Sequence, residues 1–92
     1  MDMLDMETRG LTSGDILRAI RQRRHLSLRE VTAATREIAK ELDHEEFAIS
    51  PGRLSQVENT GVVPNIYRLY SLSVVYGVEL RDLLSWFGIP SK

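Results

Sequence analysis

Serine precedes glutamate by three residues in Ser27-Leu28-Arg29-Glu30, directly ahead of a helical periodicity. In such a box the serine hydroxyl accepts the amide of the third helical residue. The glutamate carboxylate accepts the serine's own amide, so two otherwise unpaired donors are satisfied together. A helix therefore begins at Leu28. Its apolar positions Leu28, Val31, Ala34, Ile38 and Leu42 recur at spacings of three and four, and neither Gly nor Pro interrupts them. A run of about fifteen residues, roughly 22 Å long, is expected.

The same grammar divides the rest of the chain. Thr12 and Ser13 are N-cap candidates for a helix running through Arg24, with Ile16, Leu17 and Ile20 at helical spacing. His25 then occupies a helix C-terminal position where left-handed backbone is tolerated. After an acidic loop, Asp43-His44-Glu45-Glu46, Ser50 and Pro51 read as the cap and first residue of a short helix. Leu54 and Val57 supply its buried side, and it should stop near Asn59-Thr60-Gly61. Asn65 can cap a fourth helix, with Ile66, Leu69, Leu72, Val75 and Tyr76 facing inward and Gly77 ending it. Leu80, Leu83, Leu84 and Phe87 form the stripe of a fifth, ended by Gly88 and Pro90. No alternating strand pattern, repeat or low-complexity segment interrupts this order. The expected fold class is all-α, with 1–12 a loose leader, 13–88 one domain and 89–92 a tail or the start of a linker.

Composition removes several function classes. Cysteine is absent, which excludes disulfides, thiolate zinc sites and a cysteine nucleophile. His25 and His44 stand far apart and neither belongs to a metal-protease pattern. No glycine-rich phosphate loop is present. The uncharged stretch Leu69–Val78 is too short to span a bilayer, and the acidic start lacks the basic and apolar regions of a secretory signal. With no nucleophile–base pair or metal framework visible, we expect a small cytoplasmic domain that is not an enzyme, binds no cofactor or metal and makes no membrane contact.

Helix, capped helix, turn, short polar-faced helix and two closing helices is the order of a helix-turn-helix domain. Residues Leu17 to Ser27 resemble the first-helix signature of lambda repressor/Cro-like (XRE-type) domains. Ile49-Ser50, Leu54-Ser55 and Val57-Glu58, with Pro64 six residues on, are similar to their third helix and following loop. Tyr76-Gly77-Val78, Leu80 and Leu83-Leu84 resemble their fourth-to-fifth helix junction. The match covers 14–87. It implies a compact five-helix, lambda-repressor-like DNA-binding domain with a lengthened second helix, acting in transcription regulation on double-stranded DNA as a dimer. The dimer would form through the C-terminal helix or through the extended second helix; the aromatic and apolar tail, Trp86, Phe87 and Ile89, is either domain core or part of a dimer face. An effector domain would lie C-terminal to this segment.

Carried over residue by residue, the resemblance places Leu28 and Arg29 at the start of helix two against DNA. On helix three it places Ser50, Pro51, Gly52, Arg53 and Gln56 there, with Arg53 matched to guanine and Gln56 to adenine. Amides at the two helix starts, together with Asn59 and Thr60, would meet phosphates, as would Arg18, Arg21 and Arg24. The chain departs from the family at Leu28, where Gln is common, and at Pro51-Gly52, which offer no side-chain donor. The loop 59–63 lacks the family's Lys or Arg, and about twelve extra residues separate Ser27 from Ser50. A second resemblance leads elsewhere: Leu26 to Thr35 looks like helix two of the variant in bacterial membrane-anchored cell-shape proteins, which contacts a cytoskeletal filament. That variant implies a protein-interaction module without base-specific reading.

The formal net charge of −1 hides a segregation. Residues 16–29 carry five Arg (Arg18, Arg21, Arg23, Arg24, Arg29) and no acid, whereas 37–46 carry five acids and Lys40. Where the acidic segment lies relative to helix three governs whether a duplex can approach.

Overall fold

The structure, a computed structural model, describes residues 12–90; the expected leader through residue 11 and the last two tail residues lie outside them. Five α-helices occur among the described residues: α1 (Ser13–Arg23), α2 (Leu28–Leu42), α3 (Pro51–Thr60), α4 (Ile66–Tyr76) and α5 (Leu80–Trp86). A 3-10 turn, Glu45–Phe47, stands between α2 and α3. No strand occurs among these residues, and the all-α expectation holds.

Local chemistry sets most boundaries. At α2, Glu30 N–H donates to Ser27 Oγ at 3.1 Å and Ser27 N–H donates to the Glu30 carboxylate at 2.8 Å. Thr12 and Asp15 make the same reciprocal pair at α1, and Ser50 and Asn65 cap α3 and α4 through the amides of Arg53 and Arg68. Such caps contribute about 1 kcal/mol each. His25 does take left-handed backbone (φ 58°), letting the amides of His25 and Leu26 bond the carbonyls of Gln22 and Arg21. Asp43 does the same at the end of α2 (φ 53°), which explains how a 15-residue helix stops without Gly or Pro.

The core joins Leu17, Val31, Ile49, Leu54, Val57, Leu72, Tyr76 and Leu83, with Trp86 and Phe87 packed partly against it. α1 crosses α3 so closely that a Cβ on Gly14 would stand 2.2 Å from the Glu58 carbonyl oxygen. Only glycine permits that approach.

Two apolar stripes face differently from their periodicity. On α2 the buried positions are Val31, Thr32 and Thr35, while Leu42 is 48% exposed. The reason is a backbone requirement. The chain entering α3 has no helix or strand partner, so its polar groups need side chains. Thr35 Oγ accepts the Ile49 N–H at 3.1 Å and donates to the Thr32 carbonyl at 2.8 Å. From α4, Ser71 Oγ donates to the Phe47 carbonyl at 2.6 Å. The hydroxyl face of α2 thus turns inward; Leu42, two turns beyond Thr35 on the same face, is exposed as the last residue of the helix, outside the core cluster. On α4, Leu69, Leu72 and Tyr76 are buried as expected, but Ile66 is 53% exposed.

Candidate nucleic-acid interface

α3 divides sharply between two faces. Leu54 and Val57 anchor it in the core, and Glu58 beside them is only 3% exposed. Pro51, Gly52, Arg53, Gln56, Asn59 and Thr60 all lie exposed on the rest of its surface. Ser50 ties the first turn, and Pro51 fills the first helical position. The residues read from sequence on α3 therefore share one solvent-facing surface. Two of them are engaged internally: Thr60 Oγ donates to the Gln56 carbonyl at 2.7 Å, and Asn59 Nδ2 donates to Ser55 Oγ at 3.2 Å.

The arginines of α1 have other work. Arg21 grips buried Glu58 through two contacts, Nε to Oε2 at 2.8 Å and Nη2 to Oε1 at 3.0 Å, and donates Nη1 to the Leu26 carbonyl at 3.0 Å. Its side chain is only 13% exposed. The Glu58 hydrogen bonds hold its pKa above the ordinary arginine value against the opposing effect of burial. Arg18 donates Nε to the same carboxylate at 3.4 Å and Nη2 to Asn59 Oδ1. Arg24 borders a different concavity, between the end of α1 and the α4–α5 junction, which Glu79 and Asp82 also line. Arg29 is exposed in the first turn of α2. The fold thus brings Arg18 and Arg21 together on Glu58 and leaves Arg24 apart from them.

A second group of arginines, scattered in sequence, converges in space. Arg36 from α2, Arg53 from α3 and Arg68 from α4 line a concavity of about 380 Å³ at the start of α3, together with Ala48, Ile49, Ser50 and Pro51. No carboxylate lines it. Arg68 is fixed by donating Nε to the Ala48 carbonyl at 2.8 Å, and its Nη2 lies 3.6 Å from Glu46. Sequence reading missed Arg36 and Arg68 as site residues, because no local signal links residues of three different helices.

The acidic turn, Glu45–Phe47, is packed against α2 and α4. His44 stacks on Tyr67 with ring centroids 4.7 Å apart, Phe47 meets Tyr67 and Tyr70 edge-on, and Asn65 Nδ2 donates to Glu46 Oε1 at 3.2 Å. These contacts tie the turn to the first turns of α4. Around it the outer surface of α4 leaves Ile66, Tyr67, Tyr70 and Val74 substantially exposed. Hydropathy marked Ile66 as core and gave no warning of this patch.

Among the described residues no group of three or more His, Asp or Glu could hold a metal ion, and no helix is long and apolar enough to cross a membrane. No family model, no curated protein and no solved structure matches the chain.

Proposed function

We propose that this chain is a DNA-binding domain of the helix-turn-helix kind, a transcriptional regulator's recognition module. α2 and α3 form the paired helices, and α3 enters the major groove. The observation that carries this reading is the exposed surface of α3, where Arg53 and Gln56 stand clear of the core beside a concavity walled by arginines alone among charged side chains. Arginine and glutamine have the donor and acceptor geometry to read guanine and adenine edges, and the surrounding guanidinium groups attract the phosphate backbone. The acidic turn is packed on α2 and α4, and its Glu46 pairs with Arg68 of the recess, so one acidic side chain stands beside the proposed surface.

The test is selection from a pool of random-sequence duplexes at low and moderate salt. Retention at low salt with enrichment of a common site at moderate salt is the expected result. Loss of all retention at low salt would sink the proposal. A binding partner of two-fold symmetric sequence would further support a dimer.

A second reading, a helix-turn-helix scaffold that meets protein without reading bases, is favoured by the exposed Ile66, Tyr67, Tyr70 and Val74 of α4. Contiguous apolar surface of this kind marks interaction sites more often than isolated apolar residues do. Under that reading, Tyr67→Ser with Tyr70→Ser abolishes partner association and leaves any duplex retention unchanged.

A further inference from the structure

The concavity at the start of α3 has a chemistry of its own. Its three charged walls are all cationic, and they come from three helices, so the fold holds like charges together in one recess. Arg36 has no hydrogen-bond or ion-pair partner among the described residues, nor has the Arg53 side chain. Arg68 is oriented by the Ala48 carbonyl and leans on Glu46, which approaches at 3.6 Å and is not among the lining residues. The two uncompensated guanidinium groups, Arg36 and Arg53, gain no counter-charge within the fold, and an anion placed in the recess would supply one.

The backbone leaves a donor nearby, at Gly52, which does not line the recess itself but stands between Pro51 and Arg53, which do. In the first turn of α3, Pro51 has no N–H, the Arg53 amide is taken by Ser50 Oγ and the Leu54 amide by the Ser50 carbonyl. The Gly52 N–H is therefore the first-turn amide with no acceptor among the described residues. A Cβ at Gly52 would meet nothing within 4 Å, so the side of the helix start on which it would stand is open. Several guanidinium groups and a helix-start amide fit the several acceptor oxygens of a phosphate group.

We propose that this recess is a seat for one phosphate group, gripped by Arg36 and Arg68 with the Gly52 N–H, and with Arg53 at its edge. The lengthened α2, which carries much of the acidic segment, contributes one of the cations of the seat. Taken with the proposed DNA reading, on which this assignment of source rests, the group is a phosphodiester of the duplex backbone. A free phosphorylated ligand would share the same chemistry.

Two arms distinguish these sources. In the first, the protein without DNA is titrated with inorganic phosphate at constant ionic strength set by chloride, and amide and arginine Nε resonances are followed by NMR. Saturable shifts at Gly52 and at the Arg36 and Arg68 side chains are expected, weakened by about tenfold in Arg36→Ala. Arg36 is exposed and unpartnered, so the variant folds, and an unchanged helical circular-dichroism spectrum verifies this. In the second arm, Arg36→Ala is expected to weaken duplex binding equally for all sequences and to lower the salt slope by about 1. Phosphate shifts without any duplex retention would remove the DNA reading and leave the seat standing for a free phosphorylated ligand. Duplex binding that is indifferent to Arg36→Ala, together with shifts no different from those in chloride, would overturn the seat while leaving the DNA reading intact.

Discussion

The arginines of α1 and those around the start of α3 differ in how they were assembled. Arg18 and Arg21 belong to a dense basic run in sequence, yet both turn to a single buried carboxylate, Glu58, and lock α1 across α3. Arg36, Arg53 and Arg68 are dispersed through the chain, yet they line one recess without a carboxylate. The difference teaches that charge density along a chain is a poor guide to charge on a surface. A guanidinium whose donors are saturated inside the molecule stabilises the fold, and one left unpartnered at the surface, as Arg36 and Arg53 are, is available to a ligand; Arg68, held by the Ala48 carbonyl and paired with Glu46, stands between the two.

The comparison can be broken most forcefully at Arg21. Arg21→Met leaves Glu58 buried without its principal counter-charge, and we expect a loss of about 3–5 kcal/mol in denaturant unfolding. A loss below about 1 kcal/mol would mean that the α1 arginines are not structural. Arg53→Ala is expected to do the reverse. Stability stays within about 0.5 kcal/mol of the parent, while affinity for a selected duplex falls by about 1–3 kcal/mol and sequence preference relaxes. Arg24→Ala, whose side chain borders the concavity shared with Glu79 and Asp82, should change duplex affinity by less than about 0.5 kcal/mol. An effect as large as that of Arg53→Ala would extend the binding surface to the far end of α1.

A different effect, on alkaline stability, concerns Tyr76, whose hydroxyl is buried without a hydrogen-bond partner among the described residues. Burial, with the Glu58 charge adding to it and Arg21 opposing it, pushes this phenol above the ordinary tyrosine value of 10.0. The unfolded phenol ionises first as pH rises. The contribution of Tyr76 is therefore complete below about pH 10 and declines from there toward the folded pKa. Tyr76→Phe should shift stability near neutral pH by less than about 1 kcal/mol and flatten the alkaline decline relative to the parent chain. Urea unfolding of the two proteins across that range measures the difference.

Much of this architecture was legible because its signals are local. Ser27 with Glu30, Ser50 with Pro51, Asn65, and the His25 position each act within a few residues, and each sits where its chemistry places it. The errors arise where a distant partner decides. Thr35 is buried because Ile49 needs an acceptor, which no periodicity on α2 could disclose, and Leu42 is exposed because it ends the helix outside the core. Ile66 continues an apolar pattern but lies at the N-terminal end of α4, on the surface shared with Tyr67 and Tyr70. The exposed surface of α3 followed from its own short periodicity. The arginine recess beside it did not, because α2, α3 and α4 supply one cation each and only their packing unites them.

On the proposed reading, the recess and exposed surface at the start of α3, rather than the basic run of α1, form the anion-binding surface. The dependence of duplex affinity on salt tests it most directly, measured for the parent chain and for Arg36→Ala combined with Arg53→Ala. The double substitution is expected to lower the slope of log affinity against log salt by about 1, through Arg36, and to relax sequence preference, through Arg53, with unfolding free energy unchanged. Duplex binding with the same slope in both proteins would contradict it.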